Sequence, residues 1–89
     1  MPARRVPPEK PIPPSKAERM QKHLRETVAN NIQRFRTDAG LTQRQLSERA
    51  NVSQTYISQT EQGKRNLSLD LIALLALALE KTPAELVSD

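Results

Sequence analysis

The sequence predicts an all-α fold: a compact bundle of five helices behind a basic tail. Three observations carry that expectation. Ser15-Lys16-Ala17-Glu18, Thr42-Gln43-Arg44-Gln45 and Thr82-Pro83-Ala84-Glu85 all have capping-box spacing, in which a hydroxyl and an acid or amide satisfy helix-end donors reciprocally. The only two glycines, Gly40 and Gly63, sit where helical patterns stop, and glycine takes the left-handed turn after a helix at least cost. No period-two alternation of apolar residues runs long enough for a strand.

Six of the seven prolines fall in the first fourteen residues. Each removes a backbone donor and holds its predecessor extended, so residues 1–15 are expected to form a disordered or polyproline-like basic tail. The folded domain is then 16–89. Its first helix carries Met20, Leu24, Val28, Ile32, Phe35 and Ala39 on one stripe, starting at Lys16 or nearer Leu24. A second helix is expected over Thr42 to Ala50 and a third over Gln54 to Gln62, with Ser53 as its cap. The fourth, Leu69 to Leu79 behind Ser68, is apolar nearly all round and must be covered on more than one side. A short fifth helix follows Thr82, with Pro83 at the first helical position.

The totals limit what such a domain does. A chain of 89 residues buries a modest core, so its stability is expected to be marginal unless it oligomerises, and no separate effector domain is expected beside it. Cysteine is absent and His23 is the only histidine, so neither a disulfide, a metal site, a cofactor nor a catalytic constellation is expected. The apolar run Leu71 to Leu79 is about half a membrane span, and the N-terminal arginines lead into prolines rather than into a signal-peptide core. Charge is polarised along the sequence. Residues 1–22 carry a net +4 and residues 34–65 a net +3, whereas residues 66–89 carry a net −3. A polyanion would meet the tail and the middle of the chain, not its C-terminal end.

The tight connection Ala50-Asn51-Val52-Ser53 suits two helices crossing nearly at right angles, with Leu46, Ala50, Val52 and Ile57 turned inward and Asn51 in the left-handed turn. The third helix then turns Gln54, Thr55, Ser58, Gln59 and Gln62 outward. Uncharged amides and hydroxyls could simply be a solvated face. They are also the groups that read base edges, because an amide both donates to and accepts from adenine, and a threonine methyl packs on thymine.

Residues 42–64, TQRQLSERANVSQTYISQTEQGK, with GLTQ overlapping their start and NLSLDLIALLALAL following, resemble the Cro and phage-repressor (XRE-type) helix-turn-helix family. The resemblance covers about Leu24 to Leu86 and implies a lambda-repressor-like DNA-binding domain with its helix-turn-helix at 42–63. It also implies roles. Gln54, Thr55 and Gln59 would read bases, and Ser58, outward on the same helix, is added to them from its position. Gln43, which would also cap the second helix, would hold phosphates together with Lys64 and Arg65; apart from the resemblance, Arg44 is a phosphate candidate because it lies at a helix start, and Tyr56 would either contact a phosphate or cover the edge of the core. Arg36 and Glu61 would form a structural ion pair. Ser47, Asn51 and Thr60 depart from the family pattern, and Thr60 is expected to leave the core slightly underfilled.

The function expected is a transcriptional regulator, a repressor on a palindromic operator, cytoplasmic and nucleoid-associated, not an enzyme. Its partners would be double-stranded DNA and a second copy held through Leu79, Leu86 and Val87. An antitoxin or adaptor whose main surface meets a partner protein is the alternative.

Overall fold

The computed structural model describes residues 10–89, which form five helices: α1 (Pro14–Asp38), α2 (Gln43–Ala50), α3 (Gln54–Glu61), α4 (Leu69–Leu79) and α5 (Pro83–Val87). Among the described residues there is no strand, and no helix is long and apolar enough to cross a membrane. The tail expectation for residues 1–9 lies outside the described residues. Residues 11–13 are exposed and irregular, but the helix starts at Pro14, so the expected boundary after residue 15 moves back. Ser15 is not a cap. Pro13 holds the cap position without any side-chain cap hydrogen bond, and Pro14 opens the helix with its φ preset and no N–H to satisfy.

The other helix starts follow the hydroxyl pattern. Thr42 and Thr82 complete capping boxes with Gln45 and Glu85, and Ser53 and Ser68 accept from the backbone N–H of Tyr56 and Leu71. Each such cap is worth about 1 kcal/mol. Hydrogen bonds from the Thr82 backbone and hydroxyl hold the Glu85 carboxyl below the usual carboxylate range. The α5 box is therefore intact above that range, and its contribution is lost as pH falls through the lowered value.

Helices α1 to α4 all end alike: the residue after the last turn adopts a left-handed backbone, and the next N–H returns to a carbonyl five residues back. Gly40 and Gly63 both stand at φ 72°. Asn51 takes the position at φ 55°, and so does Glu80 at φ 56°, the one end the composition did not mark. Glu80 turns the chain so that Lys81 lies 4.8 Å from the centre of the Phe35 ring, with Arg34 also at 4.8 Å. The only phenylalanine is half-buried beneath two cations.

Every helix contributes one fully buried large side chain to the centre: Ile32, Leu46, Ile57, Leu75 and Leu86 in chain order. Burying a side chain of this size gains about 1.5–3 kcal/mol. Around them, α2 packs on α3 and α4, while α1 packs on α3, α4 and α5. The α1 stripe is buried only in its middle. Val28 and Ile32 are covered and Phe35 partly so, whereas Met20, Leu24 and Ala39 are exposed, because the bundle meets α1 in its second half and Ala39 already caps its end.

The core also corrects the expected dimer anchors. Leu79 and Leu86 are buried inside the single chain, Leu86 completely, since α5 folds back onto α1 and α4. Val87 is exposed. The apolar surplus of α4 lies on its other side, where Leu69, Ala73 and Leu77 follow one another at a spacing of four, with Leu74 beside them.

Asn31, which sequence reasoning did not single out, fastens α5. Its buried amide Nδ2 donates toward the carbonyls of Glu85, Leu86 and Ser88 at 3.3, 2.9 and 2.8 Å. These are orphan acceptors at the end of a helix too short to stand alone. Asn31→Ala leaves them unpaired and is expected to cost about 1–3 kcal/mol. Urea unfolding monitored by circular dichroism reads that loss directly; an unchanged midpoint would mean water replaces the amide.

Candidate nucleic-acid interface

Helix α3 rests chiefly on α1 and α2, through Ile57 and Thr60. Its other side faces out. There Gln54, Thr55, Ser58, Gln59 and Gln62 line one polar surface groove, joined by Gln43 from α2 and Lys64 from the loop after α3. All four residues expected to read bases stand in this groove, and two of those expected on phosphates, Gln43 and Lys64, stand at it. Gln62, outside the expected reading set, belongs there as well: it lies one turn beyond Ser58, and its Nε2 donates to the Ser58 hydroxyl at 3.3 Å. That i, i+4 spacing was visible in the sequence.

The groove is held from behind by one carboxylate. Glu61 accepts from Arg36 Nε at 2.6 Å and Nη2 at 3.0 Å, and from Gln43 Nε2 at 3.1 Å. Arg36 Nη1 also donates to the Leu41 carbonyl at 2.8 Å, in the turn that leads into α2. Only 12% of the Arg36 side chain and 4% of the Glu61 side chain reach solvent. A planar fork on a carboxylate in so dry a place fixes direction as well as distance. Gln43 is the first residue of α2, not its cap; Thr42 fills that position. One of the Gln43 amide hydrogens is already given to Glu61, so it is anchored before any ligand arrives.

The remaining phosphate candidates are not among the residues that line the groove. Arg44 pairs with Glu48 one turn on at 3.0 Å, both well exposed, an arrangement worth little to stability. Tyr56 is half-buried against the core, and the Arg65 guanidinium lies 4.7 Å from the centre of its ring. Arg65 Nε also reaches back to Gln59 Oε1 at 2.7 Å. Gly63 sets this return: its left-handed backbone lets the Lys64 N–H close onto the Gln59 carbonyl at 3.0 Å and brings Lys64 and Arg65 beside the end of α3. Thr60 is 2% exposed, and its hydroxyl has no partner among the described residues, a buried penalty inside the motif.

A second groove is apolar and lies away from α3. Leu24, Val28, Leu67, Leu69, Ile72 and Val87 line it, between the middle of α1, the start of α4 and the end of α5. Leu69 joins it to the outward side of α4.

Comparison with known proteins gives the arrangement a context. A family model described as helix-turn-helix matches residues 32–86. An uncharacterised HTH-type transcriptional regulator, y4dJ, of Sinorhizobium fredii is 38% identical over 65 residues, 73% of this chain and 84% of the relative. The restriction-modification controller protein C.AhdI from Aeromonas hydrophila superposes with a TM-score of 0.68 at 34% identity, covering 70% of this chain and 94% of the controller. The controller C.Esp1396I, solved as a tetramer in complex with its natural 35 base-pair operator, superposes with a TM-score of 0.64 at 34% identity over 66% of this chain and 78% of its own.

The Glu61 cluster makes a direct prediction. Glu61→Gln keeps the shape but strands the Arg36 charge, and is expected to cost about 3–5 kcal/mol. For a domain this small that approaches the whole stability. Thermal melting is the check, and a variant that melts with the wild type would show that the pair carries no stability.

Proposed function

The chain belongs to the helix-turn-helix family of DNA-binding transcriptional regulators, and we propose that it is a repressor that binds a palindromic operator as a twofold dimer. One observation carries the reading: a single groove gathers uncharged donors and acceptors from α3 and is flanked by Gln43 and Lys64. A major groove admits one helix, and base edges there are read by the kind of side chain that α3 presents. In this reading Gln54, Thr55, Ser58 and Gln59 meet bases. Gln43, Arg44, Tyr56, Lys64 and Arg65 meet the two backbones on either side. The unit that does so is the helical domain from Pro14 onward, acting in the cytoplasm on the nucleoid, and it performs no chemistry of its own.

Removing a base contact and removing a charge have different signatures. Gln54→Ala is expected to relax preference at one base pair by about 1–3 kcal/mol, leaving the salt dependence unchanged. Lys64→Ala is expected to weaken all sequences alike and to make the salt slope shallower by about one counterion. Selection of bound DNA from a random library, run with both variants at two salt concentrations, checks each. A Gln54→Ala consensus identical to that of the wild type would remove this residue from the reading set.

Dimerisation follows from what one α3 leaves unread. A single recognition helix contacts only about four base pairs, too few to find one site among the many in a genome, and a twofold pair doubles the site. The surface that suits a second copy is the apolar side left outside the core: Leu69 and Leu77, 86% and 77% exposed, with Leu74 and Val87. A different protein on that same surface is the competing occupant. The operator should be an approximate palindrome with half-site centres about 10 base pairs apart. Val87→Asp is expected to lower the dimer mass in sedimentation and weaken operator binding while melting as the wild type does. A wild-type monomer at concentrations that saturate a non-repeated site would refute the dimer.

A further inference from the structure

We propose that Arg65 is a positioning residue that sets which bases Gln59 accepts, turning the Gln59 amide into a hydrogen-bond donor toward DNA. The inference rests on the base-reading role of α3 given above. Its observation is independent of that role: the Arg65 Nε donates to Gln59 Oε1 at 2.7 Å while its guanidinium stacks 4.7 Å from the centre of the Tyr56 ring.

A guanidinium only donates, so the amide atom that faces Arg65 must be the oxygen. That removes the ambiguity that lets a glutamine present either end. The oxygen is turned to the arginine, and Nε2 keeps both hydrogens without a partner among the described residues. The Tyr56 ring beneath the guanidinium limits where Arg65 can move, and the ring is itself held against the core. Nothing comparable holds Gln54, which is exposed and forms no side-chain hydrogen bond among the described residues.

The two amides therefore differ as readers. Bidentate recognition of adenine needs a donor and an acceptor from one amide. A free Gln54 supplies both. Gln59 offers its two N–H groups beside a positive charge, which suits an edge of acceptors. Guanine, with N7 and O6 both accepting, is that edge. Meanwhile the Arg65 Nη groups remain for a phosphate, so one residue links the backbone contact to the choice of base.

The test is binding-site selection with the full chain as wild type, Gln59→Ala and Arg65→Met, the last keeping an unbranched apolar stem beside Tyr56 without charge or donor. Gln59→Ala identifies the base pair it reads as the position whose preference it erases. The wild type should prefer guanine there, and Arg65→Met should cut the guanine-over-adenine ratio at that position by about tenfold. Preferences elsewhere should be unchanged, alongside the uniform loss of affinity expected from one charge. A pure phosphate contact would give the uniform loss with no change at any position, and that result overturns the proposal. So does a wild-type preference for adenine at the Gln59 position. If Gln59→Ala erases no position, the base-reading role of Gln59 fails, and the proposal falls with it.

Discussion

The Glu61 carboxylate is where three helices are fixed to one another. It stands at the end of α3, takes two hydrogen bonds from Arg36 of α1 and one from Gln43 at the start of α2, and is nearly sealed from water. Buried charge is costly, and it is tolerated here because the fork of Arg36 and the amide of Gln43 satisfy it from several directions. The orientation of α3 then depends on electrostatics at its C-terminal end as much as on Ile57 in the core. Hydrophobic contacts alone would hold the helix against the bundle. They would do less to stop it rotating about its own axis, and that rotation decides which residues reach the groove.

The same economy runs through the interface. The α3 side chains that line the groove are uncharged; the one cation among the lining residues is Lys64, from the loop after α3, and Arg65 lies beside them on Gln59. A charge placed on the reading surface would attract any sequence equally, because it responds to the polyanion rather than to a base edge. In the proposed reading, keeping charge off α3 separates strength from choice. Arg65 stands apart from the other cations: it donates to Gln59 Oε1 and lies over the Tyr56 ring.

Away from that face the chain differs in charge and in what it exposes. The segment from 66 to 89 is acidic, and α5 is fastened to α1 by the Asn31 amide and, at the end of the described chain, by Thr27 and His23 on Asp89. With Leu79 and Leu86 used internally, α4 leaves Leu69, Leu74 and Leu77 outside. An apolar surface on the acidic segment suits a protein neighbour better than a phosphate backbone.

Much of this was written locally in the chain. Hydroxyl caps at Thr42, Ser53, Ser68 and Thr82, the left-handed stops at Gly40, Asn51 and Gly63, and the outward run from Gln54 to Gln62 all follow from neighbours within one or two turns, which is the range over which backbone hydrogen bonds and helical periodicity act. The family resemblance rested on those same residues. What sequence reasoning could not reach joins residues far apart along the chain. The hold of Asn31 on α5, the burial of Leu86 rather than its exposure, and the identity of the apolar side left over on α4 depend on where α5 lands. The clasp of Arg65 on Gln59 crosses only six positions, yet it needed the turn at Gly63 and the ring of Tyr56 together to close. Periodicity states that a helix has an apolar side, but which part of that side finds a partner is settled only when every helix competes for the same core.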